Sequence, residues 1–309
     1  DNQSIIQAAL QTANGQLLTP EERAEVKTVL QNETTARNIE YATLVDRNGR
    51  IIVNANADRR GELFNPDGLV SQVLENPQQI KASSIVSWDE LQQEAPNLPV
   101  GFSDSDALIR YTVTPVLNPA NGGIIGALVS GDIVNGKLPI VEKTLDAFGN
   151  GYGAVYMKDS RGNLVLATSL DLGKSGELSQ AMVNTPLSAI GLLEEAINAD
   201  DGVATGRITL GEQTYSASAQ TITNSKQQPI GVIIRGTSEA SLNALIKRSL
   251  QVQLLIAAIA LGADAILAIL LGRSIANPIN RLQESTKRFA LGNRSLRSDI
   301  QSKDEIGQL

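Results

Sequence analysis

The sequence predicts an α+β chain in which one mixed module occurs twice, followed by a membrane-spanning helix and a short α-helical linker. Three observations carry this expectation. A β-hairpin pattern occurs twice, a second paired-strand pattern follows each copy, and a nearly uninterrupted apolar run lies toward the C-terminus. With 309 residues, 42% of them hydrophobic, the chain has enough apolar side chains for two cores.

Thr19-Pro20-Glu21-Glu22 supplies an N-cap, a Pro at the first helical position and a Glu at the capping-box position, so a helix starts there and runs to about Arg37. The hairpin YATLVDRNGRIIVNA begins at Tyr41, with a two-residue turn expected at Asn48-Gly49. VYMKDSRGNLVLAT from Val155 has the same layout, and Asp159 stands where the first copy has Asp46. Later in each copy come ALIRYTVTPVLNPANGGIIGALVSGD from Ala107 and QTYSASAQTITNSKQQPIGVIIRGT from Gln213, with Gly126 and Gly231 in matching places. Ser238 to Leu261 contains neither Gly nor Pro, so one stiff helix leaves the second module and enters the apolar run.

That run, Leu254 to Leu271, reads LLIAAIALGADAILAILL and is close to the length that spans a hydrocarbon core. Its central Asp264 costs roughly 3 kcal/mol on an insertion scale, while the Leu and Ile side chains contribute near −5 kcal/mol in sum, so insertion wins. An ionisable residue inside a span is a functional flag, as a pair across a dimer or a protonation switch; the plain alternative is a tolerated, neutral or hydrated Asp. Arg273, Arg281, Lys287 and Arg288 follow the span against Lys247 and Arg248 before it, which places the C-terminal side in the cytoplasm. Residues 1–250 are then extracytoplasmic, and they carry the acidic excess behind the net charge of −7. Ile275, Ile279, Leu282, Thr286 and Phe289 recur at three- and four-residue steps, a seam that needs partner helices and hence a homodimer. The first residue is Asp and the last residues stop inside a periodic segment, so further sequence is expected on both sides.

Composition excludes several functions. There is no Cys and no His, which removes disulfides, thiol nucleophiles, imidazole bases, thiolate or imidazole zinc sites and any phospho-accepting His. No nucleophile-base motif is present, no enzyme activity and no cofactor are expected, and the acidic balance argues against nucleic acid. Gly131 to Lys137 has the spacing of a phosphate loop, but Leu138 replaces the required Ser or Thr and Pro139 follows. Gly149 to Gly153 precedes a strand, so it is a linker turn and no dinucleotide loop. The acid pairs Glu194-Glu195 and Asp200-Asp201 fit a solvated helix face and a turn.

The tandem layout over residues 1 to 240 resembles the double Cache sensor ectodomain, a pair of PAS-like modules found in bacterial chemoreceptors, sensor kinases and cyclase receptors. Arg273, Pro278-Ile279, Leu282, Phe289, Gly292-Asn293, Leu296, Ile300 and Asp304-Glu305-Ile306-Gly307 resemble a HAMP linker in spacing. The resemblance implies an N-terminal helical stalk (1–40) containing a long helix, a membrane-distal module (41–138), a membrane-proximal module (139–238), an exit helix and span (239–272) and a truncated HAMP domain (273–309). It implies small-molecule sensing and signalling across the cell inner membrane, with a cytoplasmic signalling domain beyond residue 309. The favoured output is methyl-accepting chemotaxis; a histidine kinase or nucleotide cyclase output, or a module docking a periplasmic binding protein, are the alternatives. Asp264, Pro278, Asp304, Glu305 and Gly307 are the signalling candidates.

For the ligand, alternation places Leu108, Arg110, Thr112 and Thr114 on one strand face and Ile109, Tyr111 and Val113 on the other. Arg110 is the expected anion anchor. Ser130 and Asp132 share a face of the following strand and offer acceptors to an ammonium or hydroxyl. Trp88 and Tyr41 complete the expected pocket, for a carboxylate- or amine-containing metabolite; the plain readings are a surface ion pair for Arg110, a strand-end cap for Asp132 and core packing for both aromatics. Double Cache receptors for amino acids carry Arg, one residue, then Trp and an aromatic; Tyr111-Thr112-Val113 follow Arg110 here, so that motif is absent. The second module's Tyr152, Tyr156 and Tyr215 leave it open as an alternative site.

Overall fold

The computed structural model describes residues 2–99, 102, 104–146, 151–172, 182–188, 190–211 and 213–292. Residues up to Leu242 belong to one compact unit and those from Asn243 to another.

The N-terminal segment is two helices, α1 (Asn2–Ala13) and α2 (Pro20–Arg37). The capping box forms as expected: Glu22 N–H donates to Thr19 Oγ1 at 3.2 Å, and Thr19 N–H donates to Glu22 Oε2 at 2.8 Å. The helix expected from Thr19 to about Arg37 is α2. Gly15 breaks the segment at φ +75°, and Ile5, Ala8, Ala9, Val26 and Leu30 bury against Ala42, Leu44, Ile52 and Val53 of the first sheet. An apolar stripe of this kind needs a surface to cover.

The first sheet contains β1 (Tyr41–Asp46), β2 (Ile51–Asn54), β3 (Ile80–Val86), β4 (Ala107–Leu117) and β5 (Ile124–Ile133), in the order β2-β1-β5-β4-β3. The second contains β6 (Tyr152–Lys158), β7 (Leu164–Asp171), β8 (Met182–Val183), β9 (Val203–Leu210), β10 (Gln213–Thr223) and β11 (Pro229–Ser238), in the order β8-β7-β6-β11-β10-β9. Apart from the short β8, the two orders are the same, and all pairings are antiparallel. The irregularities repeat too. β1 shifts register between Leu44 and Val45 and β6 between Val155 and Tyr156; β4 shifts between Val116 and Leu117 and β10 between Ile222 and Thr223. Bulges at matching places are features of one repeated design.

Gly126 and Gly231 have one steric reason. A Cβ at Gly126 would sit 2.2 Å from Val45 O, and at Gly231 2.4 Å from Tyr156 O. The hairpin turns are longer than the two-residue form expected. Asp46 Oδ1 accepts from Asn48 and Arg50 N–H, with Gly49 at φ +73°; Asp159 Oδ1 accepts likewise from Arg161 and Asn163, with Gly162 at φ +85°. The side-chain acceptor organises a wider loop, which the Asn-Gly pair alone did not reveal.

Each sheet buries apolar side chains on both of its faces. One face of the first sheet packs Tyr41, Ile109, Tyr111, Val113, Val129 and Ile133 under α3 (Leu69–Glu75) and α4 (Trp88–Glu94). The other is covered by α1 and α2 over β1 and β2 and left open over β3 and β4. The second sheet packs one face under α6 (Gly191–Asn198) and the other against α5 (Leu138–Asp146). Leu108 and Val134 of the first module join Val141, Leu145, Val155 and Met157 in one core, so the two modules share buried surface. Glu194 and Glu195 lie on the exposed side of α6.

α7 (Glu239–Leu271) begins at the residue after β11 and contains the whole apolar run, with Asp264 near its middle. It is the one helix, among the described residues, long and apolar enough to cross a membrane. It continues through a π-helical turn, Gly272–Ala276, into α8 (Asn277–Ala290), where Pro278 occupies the first turn. A π turn accommodates an extra residue. Continuing the span's Leu267 and Leu271 in alternating steps of three and four would present Ser274, Pro278 and Arg281; one added residue presents Ile275, Ile279 and Leu282. Asp304, Glu305 and Gly307 lie outside the described residues.

Candidate functional site

Strand register decides which of the expected site residues meet. Ser83, Arg110 and Asp132 are directly opposite one another across β3, β4 and β5, and Lys81, Thr112 and Ser130 form the next row on the same face. These residues line a groove of about 700 Å³ with Gln79, Arg37 and the tip of β10 at Thr223. Four of the six expected ligand residues are therefore together: Arg110, Thr112, Ser130 and Asp132.

Tyr41 and Trp88 are not with them. Tyr41 faces the opposite side of the sheet, fully buried and edge-on to Tyr111 with ring centroids 6.0 Å apart. Trp88 opens α4 on that same side, tilted against Phe102 at 6.3 Å. Tyr41 is an odd residue of β1 and Ala42 the one that faces the groove strands, so pleating alone separates them.

Asp132 is also corrected as a free acceptor. It pairs with Arg110 and takes Lys137 Nζ at 2.5 Å. Lys137 lies 2.7 Å from Glu40 and donates to Asn38 O at 2.6 Å, while Glu40 Oε2 accepts Ile133 N–H at 2.7 Å. Arg110–Asp132–Lys137–Glu40 is thus a charge-balanced chain running from the groove to the start of α5. Burial pushes the Glu40 carboxyl above its usual range, against the opposing pull of Lys137. Lys137 is engaged by three acceptors, Asp132, Glu40 and Asn38 O.

A second charged cluster escaped the sequence reading. Under α4, Arg59 lies 2.9 Å from Glu62, 2.7 Å from Glu90 and 3.0 Å from Glu94. Glu94 is fully buried and accepts from Asn54 Nδ2 at 2.7 Å. Burial raises its carboxyl above the usual range, more than Asn54 and Arg59 lower it. The only available signal was the four-residue step from Glu90 to Glu94 on one helix face, and no spacing linked it to Arg59.

The second module fills the corresponding face with phenols. Tyr215 Oη donates to Asp171 at 2.8 Å, Tyr152 Oη donates to Thr185 O at 3.1 Å, and Tyr156 Oη accepts Leu187 N–H at 2.7 Å. Between the modules, Asp106 accepts Trp88 N–H at 3.2 Å with one oxygen and Ser160 N–H at 2.7 Å with the other. No group of His, Cys, Asp and Glu suited to a metal occurs among the described residues.

Residues 270–309 match the HAMP domain. Among solved structures, the chain is similar to the sensor domain of the histidine kinase DctB of V. cholerae at 12% identity, over 75% of this chain and 83% of that one, with a TM-score of 0.36. It is similar to the ligand-binding domain of the Campylobacter jejuni chemoreceptor Tlp3, in complex with 4-methylisoleucine, at 12% identity, over 77% and 82%, with a TM-score of 0.37. The periplasmic domain of Vibrio cholerae LuxQ is similar at 10% identity, over 76% and 86%, with a TM-score of 0.39. No curated protein matches the sequence. A HAMP domain reached through a helix of membrane-spanning length, behind two tandem α+β modules, defines the class: a membrane sensor receptor.

Proposed function

We propose that this chain is the sensory half of a methyl-accepting chemotaxis receptor of the cell inner membrane. Residues 1–250 lie outside the cytoplasm, the first module receives a small molecule, and a homodimer passes the resulting bias to a cytoplasmic signalling domain. The chain performs no catalysis itself; the absence of His and Cys and of any nucleophile-base pair supports that part. The HAMP match carries the reading, since it begins where a helix of membrane-spanning length ends and so supports a linker between the two sides of a membrane. The basic excess after the span supports the orientation. Ile275, Ile279 and Phe289 are exposed along one seam in the single chain, which supports a partner copy. A ligand acts by preferring one of two arrangements of the exit helix, and shifts the balance only by its difference in affinity for the two.

The lack of cysteines makes the test clean. Asn121→Cys, on the exposed β4–β5 turn, should label from outside intact cells with a membrane-impermeant thiol reagent. Gln283→Cys, on α8, should label only after lysis, and Ile279→Cys should cross-link copy to copy. Labelling of both single-cysteine variants from the same side would overturn the reading.

A further inference from the structure

Taking the first module as the sensing one, we propose that the groove over β3 and β4 is an oxyanion site whose occupant competes with Asp132 for Arg110. The charge lining the groove is unequal: Arg37, Lys81 and Arg110 stand against a single carboxylate, Asp132, and Arg37 is itself paired with Glu33 at 2.6 Å outside that lining. Lys81 has no ion-pair partner among the described residues. Lys81 sits opposite Thr112 and Arg110 opposite Ser83, so the two cations are diagonal neighbours on adjacent strands, roughly 7–8 Å apart at their backbones. That spacing lets an ammonium and a guanidinium converge on one carboxylate or phosphate group, or hold the two ends of a short dianion. The hydroxyls of Ser83 and Thr112 provide neutral donors between them, while Ser130 Oγ donates to Thr112 O at 3.3 Å and Gln79 Nε2 to Thr114 Oγ1 at 2.9 Å.

The competition follows from unequal burial. Arg110, at 54% exposed, holds Asp132 from the solvent side, whereas Asp132 is 17% exposed and held from its other side by Lys137. Turning Arg110 toward a bound anion therefore leaves Asp132 with a cation and strands no charge. The released share of Asp132 then falls on Lys137, which also holds Glu40 and the carbonyl at the end of α2, one residue before α5 begins. Occupancy of the groove is in this way felt where the first module joins the second.

The test uses the full chain in nanodiscs of zwitterionic lipid, at constant ionic strength set with chloride. Melting is followed by the fluorescence of Trp88, the single tryptophan. The probes are inorganic phosphate and malonate, with tetramethylammonium as the cationic control. The expected result is a saturable upward shift with phosphate, malonate or both, and none with the cation. Lys81→Gln and Arg110→Gln should each weaken that binding at least tenfold, while Asp132→Asn, which frees Arg110, should tighten it several-fold. Lys81 is exposed on an edge strand, so its variant tests the site even if Arg110→Gln is poorly folded. No shift with either anion, a shift unchanged in Lys81→Gln, or weaker binding in Asp132→Asn would overturn the proposal. If the cysteine labels fall on opposite sides and no anion binds, the groove assignment fails alone; if they fall on the same side, the receptor reading fails whatever the anions do.

Discussion

The two modules repeat a scaffold and differ in what they place on it. Strand order, bulge positions and the crowded glycines coincide, yet the face beneath α4 in the first module holds a charged cluster and the matching face of the second holds hydrogen-bonded tyrosines. The difference teaches that backbone geometry and polar content are separable. A sheet whose register is fixed by bulges and close backbone contacts tolerates a new set of side chains on either face without changing its path. In the first module this freedom has gone into charge, on the capped face as Arg59 with three carboxylates and on the open face as the groove cations.

Removing charge from the first module should give the largest effect. Arg59→Met takes the cation away from the fully buried Glu94 and should destabilise the chain by about 3–5 kcal/mol in denaturant unfolding followed at Trp88. The pH dependence sharpens the contrast. A carboxyl whose folded pKa is raised holds its proton more tightly in the folded state. Its contribution is fully present below the ordinary carboxylate value and is lost as pH rises through the folded one. Glu94 is of this kind, so Glu94→Gln should flatten the loss of stability from mildly acidic to neutral pH. Asp159 is the opposite case, since its hydrogen bonds from Asn163 and Arg161 outweigh desolvation and hold its carboxyl low. Its contribution is present above the ordinary value and disappears as pH falls through the folded one.

The glycines test the shared scaffold. Gly126→Ala and Gly231→Ala each drive a methyl group into a facing carbonyl and should each cost about 1–3 kcal/mol or more in the same unfolding measurement. Equal losses support one repeated backbone; a loss in one copy alone breaks the equivalence.

What was legible in the sequence follows the same division. Turn residues, strand alternation, the capping box at Thr19 and the apolar span are local, and each declares itself within a few residues. The relation of Arg110, Thr112, Ser130 and Asp132 was also readable, because pleating fixes the face of each and the two strands are consecutive. Tyr41 was placed with them wrongly, since its face depends on how β1 enters the sheet, and nothing near Tyr41 states that register. Arg59 and Glu94 meet through the packing of α4 on a loop that precedes it by about thirty residues, and neither segment carries a pattern that announces the other. The N-terminal helices illustrate the same limit, because the capping residues at Thr19 announced α2 but nothing nearby named the sheet face that α1 and α2 cover.

The turn acids come next in size. Asp46→Ala removes an acceptor shared by two backbone N–H groups and should cost about 1 kcal/mol, and Asp159→Ala should lower stability in the same direction. Thermal unfolding by circular dichroism reports both, and opposite signs would contradict the matched turns.

The smallest expected change is also the most discriminating, because it compares one residue type at one position of the repeated scaffold. Tyr41 pairs with Gly131 and Tyr152 with Gly236, so the two phenols enter their sheets at equivalent points. Tyr152 Oη is used, donating to Thr185 O at 3.1 Å and lying 3.4 Å from Tyr156 Oη. Tyr41 Oη is buried with no hydrogen-bond partner among the described residues. Removing a satisfied buried hydroxyl costs about 1 kcal/mol, whereas removing an unsatisfied one relieves a desolvation penalty. Tyr152→Phe should therefore lower stability by that amount, and Tyr41→Phe should leave it unchanged or raise it by up to about 1 kcal/mol. A loss in Tyr41→Phe equal to that in Tyr152→Phe would mean that the first phenol is satisfied in solution and that the polar contents of the two capped faces are more alike than their side chains suggest.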